Sequence, residues 1–212
     1  RRARCTCTPM IWWQRAAEAG DPAAMRALGD VFEIADGVWF GEVPPEELED
    51  SDSAAKAYGW YQRAAEAGDV YSMHTLAQYL LHWSHESAAL GWLERAARAG
   101  HTSSMTRLGD RLERSGDTTG AREWLQLAVD DGSVEAMFIL ADMLERGGEA
   151  AAAQVWWQRA TETGDMDAMY EFGHRLRERG DKAGARVWWE RAADQGHEFA
   201  REWLGYTAGG DG

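Results

Sequence analysis

A tryptophan returns at residues 12, 60, 92, 124, 156 and 188, and eight residues after each stands a glycine: Gly20, Gly68, Gly100, Gly132, Gly164 and Gly196. The spacing is 48 once and then 32 four times. Self-similarity at a fixed period of this length marks stacked supersecondary units, none of which can bury its apolar face alone. An active site is built once, so a string built six times is architecture.

The punctuation of one unit gives its local structure. Ala153, Trp156, Trp157 and Ala160 fall at helical spacings on one apolar face. Gly164 ends that helix because it takes the left-handed position after the last turn without a Cβ clash. Asp165 then caps the next helix, its carboxylate accepting from otherwise unpaired N–H groups. That second helix carries Met169, Phe172, Gly173 and Leu176, and it stops at Gly180-Asp181. The same columns hold Met25, Met73, Met105 and Met137, then Leu28, Leu76, Leu108, Leu140 and Leu204. Gly29, Ala77, Gly109, Ala141, Gly173 and Gly205 share one small-residue position, which predicts close approach of two helices. The six tryptophans are expected in the core, where each buries roughly 150–250 Å², about 4–6 kcal/mol as an upper bound.

These residues resemble a known family. The stretch around Ala27, Leu28, Gly29 and Phe32, followed by KAYGWYQRAAEAGD from Lys56 to Asp69, is similar to Sel-one-like repeats, a branch of the tetratricopeptide-like helical repeats. The 32-residue units are shorter than that family's usual length. The resemblance implies an all-α, right-handed superhelical solenoid of antiparallel helix pairs that acts as an adaptor for other proteins. It carries over no catalytic motif.

A single solenoid is expected over residues 9–206, between a tail at 1–8 and another at 207–212. Thr8-Pro9 reads as cap and first helical position, so the first helix should begin near residue 9. The single gap of 48 places an insertion at about 37–53, with Asp36, Glu42, Glu46, Glu47, Glu49, Asp50 and Asp52 in or beside it and no Lys or Arg among them. Pro44-Pro45 breaks a helix there. Trp39 and Phe40 offer apolar anchors, so this loop is a candidate contact with a partner, since insertions in solenoids often map to the binding face.

If the Met-to-Leu helices line a concave face, the positions between their core residues point into a groove. They are Ala23, Arg26, Asp30, Glu33, Tyr71, His74, Gln78, Leu81, Ser103, Thr106, Asp110, Glu113, Glu135, Phe138, Asp142, Glu145, Asp167, Tyr170, His174 and Arg177. They vary between repeats while the core columns do not, as a specific binding surface requires. The expected groove contacts are Tyr71, His74, Gln78, Asp110, Glu113, Glu135, Phe138, Asp142, Asp167, Tyr170 and His174. Eight of the twenty are acidic, which points to a partner protein or peptide of basic, partly apolar character.

The charge sets further bounds. With Lys+Arg 22 against Asp+Glu 36 the chain carries −14, so neither nucleic acid nor an anionic membrane surface is an expected partner. No apolar run is long enough to span a bilayer. Cys5 and Cys7 are too few for a disulfide framework, which suits a reducing, cytoplasmic setting. Lysine occurs only at 56 and 182 among many Arg and Ala, a composition that hints at a bacterial source. The oligomeric state is not legible.

No catalytic constellation stands out, and neither a cofactor nor a metal is expected. His82, His85 and Glu86 form the tightest cluster of metal-ligating types, but three ligands at a helix end do not make a zinc geometry. Carboxylate pairs arise by chance in so acidic a chain, and no GxSxG, phosphate-binding or dinucleotide motif is present. The expected function is therefore a non-enzymatic interaction scaffold. The alternative is a ligand-sensing or regulatory repeat domain of a larger bacterial protein, and a third class, a hydrolase, would need pocket carboxylates with raised pKa.

Overall fold

The computed structural model describes residues 7–35, 45, 47 and 52–208 of the 212-residue chain. Twelve α-helices follow one another among them: α1 (Cys7–Glu18), α2 (Pro22–Ala35), α3 (Asp52–Glu66), α4 (Val70–His82), α5 (Glu86–Arg98), α6 (Thr102–Arg114), α7 (Thr118–Asp130), α8 (Val134–Arg146), α9 (Ala150–Glu162), α10 (Met166–Glu178), α11 (Lys182–Asp194) and α12 (Glu198–Ala208). The odd-numbered helices carry the periodic tryptophan and the even-numbered ones the methionine columns. The chain divides into two compact units, Arg1–Leu108 and Gly109–Gly212. Helix α1 starts at Cys7 rather than near residue 9. Pro9 still fits, because a first-turn residue has no intrahelical N–H bond to lose. Trp39 and Phe40 lie outside the described residues.

Apart from the α2–α3 connection, three-residue turns join the helices, and all of them but the α9–α10 turn close with the same pair of hydrogen bonds. At the end of α3, Gly68 N–H donates to Ala65 O (3.1 Å) and Asp69 N–H to Ala64 O (2.8 Å), the paired bonds that satisfy orphan carbonyls beyond a helix end. Gly68 stands at φ +102°, where a Cβ would be strained. The Asp69 carboxylate then accepts from Ser72 N–H at 2.8 Å and starts α4. Asp165 does the same for α10, accepting from Ala168 N–H at 2.9 Å.

One turn breaks the rule of composition without breaking its geometry. Ser84 occupies the glycine position between α4 and α5 at φ +62°, and His85 N–H still reaches Leu80 O at 2.8 Å. A left-handed L-residue costs roughly 1–2 kcal/mol; glycine removes that cost and returns part of it as chain entropy. Ser84→Gly should therefore stabilise the first unit by about 0.5–1 kcal/mol, read as a raised thermal midpoint.

Packing corrects the expected core. The periodic tryptophan column is not buried: Trp60, Trp92, Trp124, Trp156 and Trp188 are half-buried, and Trp12 is 64 % exposed. The fully buried column is the next residue along, Tyr61, Leu93, Leu125, Trp157 and Trp189, none more than 3 % exposed. The tryptophans are covered instead by an arginine one turn later. Arg15, Arg63, Arg95, Arg159 and Arg191 lie 5.7, 4.4, 4.3, 5.3 and 4.5 Å from the rings of Trp12, Trp60, Trp92, Trp156 and Trp188. Each such contact is worth about 0.5–1 kcal/mol at an exposed site. Trp124 has Leu127 at that spacing, and Leu127 is exposed.

The small-residue column sets how closely the helices approach. Helices α2, α4, α8 and α10 each pack most extensively on the odd-numbered helix that follows, at α2–α3, α4–α5, α8–α9 and α10–α11. A Cβ placed on Gly29 would meet the Tyr61 ring at 3.0 Å, one on Gly109 the Leu125 Cγ at 2.5 Å, and one on Gly173 the Trp189 Nε1 at 2.5 Å. The glycine of one helix and the buried column of the next are thus two halves of a single contact.

Candidate protein-interaction faces

Two faces carry the expected contact residues, one on each unit. On the first, Tyr71 stands at the start of α4, 61 % exposed, yet its ring is held in place. The Arg26 guanidinium lies over it at 5.2 Å, itself 3.5 Å from Asp69. The His101 ring meets Tyr71 edge-on at 5.4 Å.

Behind Tyr71 runs a chain of polar side chains that spacing alone did not join. Gln78 Nε2 contacts His74 Nε2; His74 Nδ1 is 2.8 Å from the buried Ser104 hydroxyl; that hydroxyl is 3.0 Å from His101 Nδ1. Ser104 N–H also donates to His101 Nδ1 at 3.2 Å, so this histidine caps α6 where other repeats use Asp or Ser. One proton arrangement satisfies the set. Gln78 donates to His74, the His74 Nδ1–H donates to Ser104 Oγ, and the Ser104 O–H donates to His101. Both imidazoles are then neutral. Burial first, and then the proximity of His101 and of the Arg107 guanidinium, lowers the His74 pKa to about 4, and burial lowers that of His101.

The sign of the linkage follows. Above the ordinary imidazole pKa of 6.5 the ring is neutral whether folded or not. As pH falls from about 6.5 towards 4, the unfolded chain takes a proton at His74 that the folded chain refuses, so stability is lost across that window. Thermal unfolding between pH 7 and pH 5 should show the first unit losing stability on acidification. His74→Gln should flatten that slope, and an unchanged slope would exclude His74 as its source.

On the second unit, rings gather where α10, α11 and α12 meet. Tyr170 stacks on His197 at 4.3 Å and meets His174 edge-on at 4.6 Å. His174 lies 5.1 Å from Trp189 and 5.4 Å from Trp203, and Arg177 covers Trp203 at 4.5 Å. Phe199, 63 % exposed, stands 6.0 Å from His197. His197 Nδ1 accepts from Ala200 N–H at 3.1 Å and caps α12, while its Nε2 is 3.2 Å from Asp167 Oδ1. An open cleft of about 320 Å³ beside these rings is lined by Tyr170, Glu171, His174, Arg175 and Glu178. The His174 Nε2 is buried without a hydrogen-bond partner, and burial, its largest influence, lowers the His174 pKa.

The acidic positions turn inward more than their number suggests. Arg146 pairs with Glu113, Arg175 with Asp142 at 2.9 Å, and Arg179 with Glu145 at 3.7 Å. Each of these arginines sits one repeat further along the chain. Asp110 takes Arg114 at 3.1 Å within α6, and Asp30 and Glu33 accept from the Tyr61 hydroxyl at 2.8 and 2.6 Å. Burial raises the Asp142 pKa although Arg175 and Arg146 pull it down. Glu135 is exposed in the first turn of α8. Phe138 packs its ring 4.8 Å from the buried Trp157, so it faces the core of its repeat.

The histidine caps, Ser104, Phe199 and Trp203 were missing from the expected contact set. Reading the repeat in columns would have found three of them, since His101 and His197 occupy the aspartate cap position and Phe199 occupies that of Tyr71. Among the described residues no group of three or more His, Cys, Asp or Glu is placed to hold a metal ion, and no helix is long and apolar enough to cross a membrane.

Comparison with known proteins fits this geometry. No curated protein matches the sequence. The fold is similar to a Sel1 repeat protein from Oxalobacter formigenes, with TM-score 0.65, 20 % identity and coverage of 93 % of this chain and 89 % of the other. It is similar to c5321, a protective antigen of uropathogenic Escherichia coli strains, with TM-score 0.57, 24 % identity and 93 % of this chain covered. This chain spans 51 % of that antigen's length. YrrB, a tetratricopeptide-repeat protein with an unusual peptide-binding site, matches with TM-score 0.52 and 20 % identity over 91 % of this chain and 97 % of its own. Folds of this class are generally protein-interaction scaffolds and typically not enzymes. The Sel1 repeat model matches residues 10–21, 22–69, 86–101, 102–133, 134–165 and 160–197, and the chain belongs to the Sel1 repeat family.

Proposed function

We propose that this chain is a protein-interaction module that holds an extended, partly apolar segment of a partner on the variable faces of its even-numbered helices. One observation carries the reading: Tyr71 and Phe199 occupy the same repeat position, each is largely exposed, and each stands beside a capping histidine that fixes it. An exposed aromatic already locked by its neighbours loses little entropy on binding, and such side chains usually dominate interface energy. Tyr170, His74 and Gln78 are further contacts. The unusual peptide-binding site named for YrrB lies on a fold of the same class.

A basic partner fits the net charge of −14 and the exposed Glu135, Asp167 and Glu171. Because Glu113, Asp142 and Glu145 already pair with arginines, charge supplies steering and the aromatics supply affinity. Peptides selected from a displayed random library should bind the intact chain. Tyr71→Ala with Phe199→Ala should weaken them by at least about tenfold, the scale of a hot-spot residue. Peptides that bind the double variant as tightly would remove this reading.

The cleft beside His174 supports a second reading, a sensor of a small polar ligand. There a compound seated between Glu171, His174 and Arg175 would raise the thermal midpoint of the wild type and leave that of His174→Ala unmoved.

A further inference from the structure

The variable face of the first unit holds a cation that the fold does not use. Arg107, in α6, is exposed, and among the described residues it has no ion pair, hydrogen bond or ring contact. The other arginines of the even-numbered helices are engaged. Arg26, Arg114, Arg146 and Arg175 pair with carboxylates, Arg177 covers Trp203, and Arg201 donates to Ala193 O. In a chain with Asp+Glu 36 against Lys+Arg 22, Arg107 does not stand alone for want of acids. The carboxylates of its own face are already taken. Asp30 and Glu33 accept from the Tyr61 hydroxyl at 2.8 and 2.6 Å, and Asp69 accepts from Ser72 N–H at 2.8 Å. Asp110, three residues further along α6, takes Arg114 at 3.1 Å instead.

The position of Arg107 is set by the polar chain behind Tyr71. Ser104, one turn earlier in α6, holds its hydroxyl 2.8 Å from His74 Nδ1, and His101, the cap of that helix, meets Tyr71 at 5.4 Å. After burial and His101, Arg107 is the third influence that keeps His74 neutral. The face thus presents an exposed, fixed tyrosine ring at one level and an uncommitted guanidinium at another. From His101 to Arg107 is six residues, about 9 Å along a helix. An extended chain covers that distance in about three residues.

We infer that Arg107 receives the carboxylate of an aspartate or glutamate side chain in the partner segment, about three residues from the apolar side chain that packs on Tyr71. The inference rests on the reading of this face as a binding surface, and it assigns the first unit the opposite charge preference from the second. Basic residues of a partner fit the exposed Glu135, Asp167 and Glu171; an acidic one fits Arg107. A guanidinium takes a carboxylate through two parallel N–H···O bonds, and here no internal pair has to break first.

Peptides selected from a displayed random library on the intact chain, then synthesised with both termini capped, test this. Capping leaves side chains as their only carboxylates. Peptides that lose binding to Tyr71→Ala should carry Asp or Glu about three residues from an aromatic or aliphatic residue. Replacing that acid by its amide, or Arg107 by Gln, should each weaken binding by about tenfold. The two changes together should weaken it no further than either alone, since they remove one contact. Arg107→Glu should cost about a hundredfold, through repulsion, and a peptide with Lys in place of its acid should recover binding to that variant. Arg107→Lys should retain part of the affinity, because it keeps the charge and loses the planar fork. Arg107 is exposed and unpaired, so these variants should fold with an unchanged thermal midpoint. Peptides that need Tyr71 yet bind Arg107→Glu as tightly as the wild type would overturn the inference and leave the binding face in place. Peptides indifferent to both Tyr71→Ala and Arg107→Glu would overturn the inference and the first-unit face together.

Discussion

Trp157→Ala should lower the stability of the second unit by about 3–5 kcal/mol, the cost of emptying a packed aromatic site, whereas Trp156→Ala beside it should cost only about 1–2 kcal/mol. The two residues are neighbours of the same type, and the difference lies in what each touches. Trp157 is 2 % exposed, its ring 4.8 Å from Phe138 and stacked 6.4 Å from Phe172. Trp156 is half-buried with Arg159 over its face at 5.3 Å, so part of its surface is wet before any atom is removed. Denaturant unfolding of the two single variants reads the contrast directly. Equal losses would mean that the tryptophan ladder is core after all. Trp157→Phe should be milder than Trp189→Phe, because the Trp157 indole N–H has no hydrogen-bond partner while that of Trp189 donates to Tyr170 O at 3.1 Å.

The second large effect comes from a single methyl group placed in two equivalent positions. Gly173→Ala puts a carbon 2.5 Å from Trp189 Nε1 and 3.1 Å from the Ala185 carbonyl oxygen. The indole could shift only by disturbing a ring that is 3 % exposed, and the carbonyl belongs to the backbone of α11. Overpacking of this kind costs about 1–3 kcal/mol, more than the roughly 1 kcal/mol that alanine gains over glycine within a helix. Gly205→Ala meets nothing within 4 Å and should keep the helical gain, raising stability by about 0.5–1 kcal/mol. The same substitution thus changes sign with the presence of a following helix. Were both to stabilise, the small-residue column would not be setting the distance between helices.

The sequence announced its architecture because repeats average over local ambiguity. Six copies of Trp-x7-Gly and five of the following Met column leave little freedom in the placing of helices and turns, and the turns fall at Gly68, Gly164 and their equivalents as expected. What periodicity could not decide was which of two adjacent large residues points inward. Trp156 and Trp157 differ by 100° around a helix, and a conspicuous residue type drew attention to the wrong one. The arginine three residues on was the available signal, since a guanidinium at that spacing covers a ring that is not fully buried. The acidic face misled for a related reason. Glu113, Asp142 and Glu145 find their arginines a repeat away, at Arg146, Arg175 and Arg179, and composition does not reveal such pairing. The Gln78–His74–Ser104–His101 chain was equally hidden, because it joins residues about thirty positions apart.

These corrections sharpen the functional account. On the second unit the carboxylates of Glu113, Asp142 and Glu145 are engaged in tying repeats together, so the proposed specificity rests on the aromatic and imidazole side chains that each unit presents. The most direct measurement is the hydrogen-exchange footprint of the intact chain with a peptide selected against it. Protection should fall on α4 and the start of α6 around Tyr71 and His101, or on α10 and the start of α12 around Tyr170 and Phe199, leaving the odd-numbered helices unchanged. Protection centred on α3, α5 or α9 around Trp60, Trp92 or Trp156 would contradict the account and move the binding face to the arginine-covered tryptophans.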